Sequence, residues 1–171
     1  PTYIDTAYFY HDGESEKIVG RAIRDGYREK VRIATKLPMS MVKREEDFER
    51  FLSTQLGRLE IPTVDFYLLH ALNREEWEKA KRLHIMDKME QARRDGRVRH
   101  IGFSFHDDYD AFRQIIDEYD GWEFCQIQLN YIGTDYQAGL RGLEYAAAKG
   151  LGVVIMEPRL GGRAAAPPPG G

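Results

Sequence analysis

Four residues, Asp5, Tyr10, Lys36 and His70, carry side chains that together can move a proton. An unperturbed tyrosine has a pKa of about 10 and donates a proton poorly at neutral pH unless a nearby cation stabilises its phenolate. Lys36 can supply that cation, and Asp5 can balance its charge in a dry site. His70 can hydrogen-bond a substrate carbonyl and orient it. The set predicts proton donation to a carbonyl oxygen, which is half of a carbonyl reduction whose hydride must come from a cofactor.

Each of these residues has a structural alternative when it is considered alone. Asp5 can cap the turn that follows it, and Lys36 can be a solvated charge at a strand end. Tyr10 can be a partly buried aromatic beside its neighbours, and His70 a hydrogen-bonded strand-end histidine. The chemical coherence of the four favours the catalytic interpretation over these alternatives.

The elements that must position these residues follow a regular alternation of short β-prone runs and longer segments with helical spacing of apolar residues. The first helical segment has an apolar stripe that includes Ile18, while Glu16 points away from it. The predicted strands are Thr2–Asp5, Val31–Thr35, Val64–Leu69, His100–Phe103, Phe124–Leu129 and Gly152–Met156, and the predicted helices are Ser15–Arg24, Glu45–Leu59, Glu78–Arg94, Tyr109–Tyr119 and Gln137–Lys149.

This alternation allows an open doubly wound sheet or a closed (β/α) barrel. The turn after Ile4–Asp5 lacks the glycines of a dinucleotide-binding fingerprint, which favours the barrel. A complete barrel has eight strands and about 250 residues, so we expect an incomplete (β/α)8 TIM barrel over residues 1–162, without its first and eighth strand regions. Residues 163–171 are expected to be a low-complexity tail. In such a barrel, polar residues at the carboxyl ends of strands meet in one site.

Composition narrows the class of protein. Of the 171 residues, 42% are hydrophobic and 31% are charged, which predicts a globular chain. A net charge of -3 gives no electrostatic basis for binding nucleic acid or an acidic membrane. The single cysteine, Cys125, excludes an internal disulfide and fits a reducing compartment. Without a bilayer-length apolar run or a signal peptide, we expect a soluble, cytoplasmic protein.

Four segments, in their order and spacing, resemble motifs of the aldo-keto reductases. They are Ile4–Tyr10 with Gly13–Glu16, Ile33–Lys36, Asp65–His70 and Arg99–Ser104. The resemblance implies a (β/α)8 barrel that reduces aldehydes or ketones with NADPH. It also implies that Tyr10 is the general acid, that Lys36 supports it, that Asp5 pairs with Lys36, and that His70 positions the carbonyl.

The same resemblance implies where the cofactor lies. Ser104 and Gln128 resemble the residues that hold the nicotinamide carboxamide. Met156 stands where many members stack an aromatic ring on the nicotinamide, and Phe105 stands where many have asparagine. The resemblance places Glu157, Gly161 and Gly162 in the loop that approaches the cofactor diphosphate. The preference for NADPH over NADH rests on this resemblance.

Three further segments are similar to a subgroup of microbial reductases that often carry a carboxy-terminal iron-sulfur domain; they are Gly102–Asp107, Cys125–Tyr131 and Met156–Pro158. One cysteine cannot hold such a cluster, so we expect an iron-sulfur cluster only in a further region, outside this chain. No metal site is predicted. His106 precedes Asp107 and Asp108, and helix capping by these aspartates is favoured over a metal site.

Two other functions remain open at this stage. A barrel of this type can bind the cofactor and act as a regulatory sensor with little turnover, or it can be an inactive partial reductase. The intact set of four proton-moving residues favours an enzyme. The expected partner is a small-molecule carbonyl substrate, and neither its identity nor the oligomeric state follows from the sequence.

Overall fold

A computed structural model describes residues 2–130 and 133–159 of the chain. Six parallel strands form one sheet, and their order in space is their order in the chain. This confirms the predicted βα alternation. The strands are β1 (Tyr3–Asp5), β2 (Arg32–Leu37), β3 (Val64–Leu72), β4 (Val98–Phe105), β5 (Phe124–Gln128) and β6 (Gly152–Met156).

Helices follow the strands along the outer face of the sheet. They are α1 (Ser15–Ala22), α2 (Asp47–Leu59), α3 (Arg74–Arg82), α4 (Ile85–Arg94), α5 (Tyr109–Asp117) and α6 (Gly139–Ala148), with short 3-10 turns at Arg28–Lys30 and Met39–Met41. The large apolar core lies between these helices and the strands. None of the helices in the described ranges is long and apolar enough to span a bilayer.

The prediction of one helix over Glu78–Arg94 was wrong, because two helices occupy this region. His84 adopts a left-handed backbone conformation with a φ of 51°, which ends the first helical path and begins a second. Apolar spacing continues across the break because both helices bury one side against the same core. Trp77 in α3 and Met89 in α4 are both fully buried.

Three strands also run further toward their carboxyl ends than predicted. β2 continues to Leu37, β3 to Leu72 and β4 to Phe105. Lys36, His70 and Ser104 therefore lie inside strands instead of at or beyond their ends. The register between β3 and β4 shifts between Leu69 and Leu72, where Ala71 has a φ of 54°. This irregularity re-aims the side chains at the end of β3.

The inner face of the sheet carries a second, smaller apolar cluster formed by strands alone. Ala34, Leu68 and Phe124 are its buried members. Gly102 leaves room for the Phe124 ring, since a Cβ there would lie 2.5 Å from a ring carbon. Gln126 on β5 reaches Asp5 on β1 at 3.2 Å, so the sheet curls around this interior. The curled parallel sheet confirms the expected incomplete barrel.

Candidate active site

Lys36 is the centre of the site and lies on β2, with its side chain toward the interior. Its side chain is 1% exposed. Three acceptors surround Nζ, at 2.8 Å for Asp5 Oδ1, 2.9 Å for the Thr6 carbonyl and 3.4 Å for the Tyr10 hydroxyl. An ammonium group has three hydrogens, so each has an acceptor. The charge is therefore paired and oriented in a water-poor site.

Tyr10 lies in the turn after β1, which the backbone itself orders. Its carbonyl accepts hydrogen bonds from the Gly13 and Ser15 amides, at 3.2 Å each. Lys36 Nζ lies 4.8 Å from the centre of the phenol ring and donates to its oxygen. Because the phenol accepts from Lys36, its own hydroxyl hydrogen remains available to a ligand.

Asp5 ends β1, and its two carboxylate oxygens have different partners. Oδ1 accepts from Lys36, and Oδ2 accepts from Gln126 Nε2 at 3.2 Å. The side chain is 29% exposed, so this ion pair lies at the boundary between the interior and the rim. The carboxylate thus connects the ammonium to the far side of the curled sheet.

His70 lies in the last third of β3 and packs against two aromatic rings. Phe9 stacks on it with centroids 4.9 Å apart and a 14° angle between the rings, and the Tyr10 ring meets it edge-on at 5.7 Å. Burial, followed by the charges of Lys36 and His106, lowers the pKa of His70 to about 3. The imidazole is therefore neutral at physiological pH, with a buried Nδ1 that has no hydrogen-bond partner in the described chain.

Ser104 and Gln126 form a second group, next to the first. Ser104 is 1% exposed, and its hydroxyl accepts the Ala71 amide at 2.7 Å, which supports the irregular end of β3. Gln126 pairs in register with Ser104 and is also buried. Its Oε1 has no partner among the described residues. Gln126 was not predicted as a site residue, although period-two alternation places it on the same face as Gln128.

The other predicted cofactor residues lie toward the rim of β5 and β6. Gln128 donates to Glu157 at 3.1 Å in an exposed contact. Met156 pairs in register with Gln128 and is partly exposed. Gly161 and Gly162 lie outside the described residues, as does the predicted tail. Asp108 caps α5 by accepting the Ala111 amide at 2.9 Å, which confirms the capping interpretation.

Behind β2 lies a buried polar network that holds the strand from its outer face. Glu16 is fully buried and accepts from Thr35 at 2.6 Å, Gln55 at 2.7 Å and Arg58 at 3.2 Å. Gln55 also donates to the Lys36 carbonyl at 2.9 Å. The backbone that carries the ammonium group is thus fixed by side chains from two helices.

The expectation that Glu16 points away from the buried side of α1 was wrong. Ile18 is 50% exposed, whereas Glu16 is fully buried. Hydrogen bonds and a nearby guanidinium offset the desolvation of this carboxylate, so charge alone did not predict its exposure.

The family model for the aldo/keto reductase family matches residues 1–166. A methylglyoxal reductase of Escherichia coli is 31% identical over 144 residues, which cover 84% of this chain and 46% of that protein. Aflatoxin B1 aldehyde reductase member 4 of Homo sapiens is 40% identical over 74 residues, which cover 41% of this chain and 22% of that protein. The chain therefore spans less than half the length of these curated relatives.

Solved structures show the same fold. A thermostable aldo-keto reductase in complex with the inhibitor epalrestat matches with a TM-score of 0.76 and 28% identity, over 98% of this chain and 58% of that one. An aldo-keto reductase from Klebsiella pneumoniae in complex with NADPH matches with a TM-score of 0.71 and 26% identity, over 93% and 53%. With a family match across nearly its whole length, the chain belongs to the aldo/keto reductase family.

Proposed function

We propose that this chain supplies the proton-donating half of an NADPH-dependent reductase of aldehydes or ketones. The observation that carries the proposal is the position of one buried ammonium, Lys36 Nζ, within 2.8 Å of Asp5 and 3.4 Å of the Tyr10 hydroxyl. Buried charges are costly unless they are paired, and such costs concentrate at functional sites. The relatives named as methylglyoxal and aflatoxin B1 aldehyde reductases support an aldehyde as the substrate class.

Tyr10 is the proposed general acid. Its hydroxyl hydrogen is donated to the substrate carbonyl oxygen, while Lys36 holds the phenol oxygen from the other side. As the proton leaves, negative charge develops on the phenol oxygen beside the ammonium, which stabilises it. Asp5 keeps Lys36 in place throughout. The phenolate regains a proton from solvent at the end of the cycle.

His70 is the proposed positioning donor for the carbonyl. Because its imidazole is neutral, it can orient the oxygen without replacing Tyr10 as the acid. Nδ1 is buried, so Nε2 is the nitrogen that can meet a ligand. A proton on Nε2 gives the ring one donor there, and the stacked Phe9 ring fixes its plane.

The buried polar atoms of β4 and β5 fit a nicotinamide. When NADPH is bound, it supplies the hydride for the carbonyl carbon. The carboxamide of its ring has both donors and an acceptor, and Gln126 Oε1 is a buried acceptor without a partner in the described residues. We place Ser104, Gln126 and Gln128 around the carboxamide and Met156 beside the ring. Glu157, Gly161 and Gly162 are proposed to lie near the diphosphate.

The test is reduction of simple aldehydes, followed as consumption of NADPH, in the wild type and in Tyr10→Phe. The variant should lose reduction and keep NADPH binding, measured by energy transfer from Trp77 and Trp122. Tyr27→Phe is a matched control, because Lys30 Nζ lies 5.0 Å from the Tyr27 ring centre at an exposed position. Retained turnover in Tyr10→Phe would remove this residue from the acid role. NADPH binding without reduction by the wild type would favour the sensor alternative.

A further inference from the structure

A charge cluster lies at the amino-terminal ends of the strands, away from the candidate active site at their carboxyl ends. Asp65, the second residue of β3, is 1% exposed. Its Oδ2 accepts the Ile33 amide at 2.9 Å and pairs with Arg28 at 2.8 Å. Its Oδ1 has no hydrogen-bond partner in the described ranges and lies 3.3 Å from Arg99 and 4.0 Å from Arg32.

The three arginines use their donors very differently. Arg28 also donates to the Val31 and Thr63 carbonyls, and it is 25% exposed. Arg32 and Arg99 are 55% and 56% exposed, and within the described residues the buried carboxylate of Asp65 is the one ion-pair partner of each guanidinium group. A guanidinium has five N–H donors in a rigid fork, so most donors of these two remain unused by the residues that the structure describes.

The charges at this edge do not balance. One buried carboxylate faces three guanidinium groups, and the depression that they border, of about 340 Å³, contains a single further acid, Glu29. The lining residues are Arg28, Glu29, Arg32, Pro62, Thr63 and Arg99. Like charges gathered around one carboxylate repel each other, and an added anion would relieve this repulsion.

We propose that this depression binds a phosphate group. A tetrahedral dianion offsets two guanidinium charges and presents enough oxygens to meet the forks of Arg32 and Arg99 together. A planar carboxylate carries one charge and has two oxygens. Asp65, which the arginines of the depression face, lies five residues before His70 in β3, a distance of roughly 16 Å along the strand. A phosphate held there is therefore separate from the cofactor region proposed above.

The first experiment is calorimetric titration of the whole chain with inorganic phosphate, compared with sodium chloride at matched ionic strength. We expect saturable binding of phosphate and a rise in melting temperature that chloride does not reproduce. Arg32→Gln and Arg99→Gln should each raise the Kd for phosphate about tenfold or more. Arg113→Gln is the matched control, because Arg113 is 52% exposed and has a similarly long contact of 3.9 Å, to Asp117. Its Kd should be unchanged.

A second arm distinguishes the source of the phosphate group. Glycerol phosphate that binds as tightly as inorganic phosphate indicates a phosphorylated molecule, and binding of the free ion alone indicates the inorganic anion. Both support the site. Equal effects of phosphate and chloride, or an unchanged Kd in both Arg32→Gln and Arg99→Gln, would mean an adventitious ion only and overturn the proposal.

A variant with the opposite expected effect keeps the test independent of folding losses. Asp65→Asn removes the buried negative charge, so phosphate should bind it more tightly than it binds the wild type and should raise its melting temperature further. Arg99→Lys keeps the charge but loses the fork, and we expect an intermediate Kd. If Asp65→Asn and the wild type bind phosphate equally, the anion does not sit on this cluster.

Discussion

The carboxyl ends of β1–β3 and those of β5–β6 lie on the same rim of the sheet, yet they are built differently. In β2 every residue after Arg32 is buried, and Lys36 has acceptors on all three hydrogens. β6 has no buried residue, and the contact between Gln128 and Glu157 is exposed. The ammonium that is proposed to support the acid is thus held from both faces of its strand, whereas Gln128 and Glu157, two of the proposed cofactor residues, lie at a solvated edge. Under the proposed function, proton donation would rest on this preorganised ammonium, and part of the cofactor contact would rest on accessible surface.

The largest effect on activity is expected at Lys36, in the buried part of the rim. Lys36→Met should lower kcat/KM for aldehyde reduction by about 10²- to 10⁴-fold, because the phenolate of Tyr10 loses its stabilising cation. The measurement is the pH profile of kcat/KM in both proteins, with Lys149→Met as the control, since Lys149 is 46% exposed. An unchanged profile in Lys36→Met would contradict the role of the ammonium.

The next largest effect is expected in the network behind β2. Gln55→Ala removes one of the three side-chain donors to Glu16 and leaves the buried Tyr67 hydroxyl without its acceptor, which should lower the free energy of unfolding by about 3 kcal/mol. Urea unfolding measures this change. Gln128→Ala, at the exposed edge, should change it by less than about 0.5 kcal/mol. Equal losses in the two variants would mean that the two regions are equally rigid.

The neutral state of His70 predicts a dependence of stability on pH. Its folded pKa of about 3 lies below the ordinary value of 6.5, so below pH 6.5 the unfolded chain binds a proton that the folded chain does not. The contribution of the neutral His70 imidazole to the free energy of unfolding is complete above pH 6.5. It decreases toward pH 3, by at most about 1.4 kcal/mol per pH unit.

Urea unfolding from pH 7 to pH 4.5 checks this prediction by comparing the wild type with His70→Gln. The variant should lose less stability on acidification. His84→Gln serves as the control, because His84 is 65% exposed. A wild type and His70→Gln with parallel pH curves would show that the imidazole is solvated in the folded protein.

The smallest predicted difference separates two glutamines of β5. Gln126→Ala should weaken NADPH binding about tenfold, which corresponds to one lost hydrogen bond in a dry site. Gln128→Ala should weaken it by less than about threefold, because its amide is solvated and already contacts Glu157. Fluorescence titration of both variants gives the two affinities. The reverse order would place the carboxamide at the rim and not in the interior.

The sequence was sufficient to predict the six strands and the proximity of Asp5, Tyr10, Lys36 and His70, because apolar runs and strand-end polar residues are local signals. The three acceptors of Lys36 come from the first visible strand and the turn after it, where the motif is compact. The sequence did not indicate that Gln126 is the glutamine of β5 that reaches Asp5, since this contact is a hydrogen bond between residues 121 positions apart. No local sequence pattern shows which residue of a distant strand faces Asp5 across the curled sheet.

Two other differences have causes that hydrophobic periodicity does not register. At His84 the chain changes direction within one residue, and the apolar positions on either side still face one core. At Glu16, a charged residue is fully buried because Thr35, Gln55 and Arg58 converge on it from other elements. Burial of a charge depends on such partners, which come together only in the folded chain.

The identity of chain order and spatial order in the sheet has a consequence for how the protein opens. In the described sheet each strand pairs only with the strands before and after it in the chain, so its hydrogen bonding resembles a one-dimensional stack with nearest-neighbour coupling. Units in the middle have two stabilising neighbours and those at the ends of the described sheet have one. Amide hydrogen exchange should therefore be slowest in β3 and β4 and should quicken toward β6, where fraying begins. The Asp5–Gln126 hydrogen bond opposes this fraying by linking β1 to β5 across the interior.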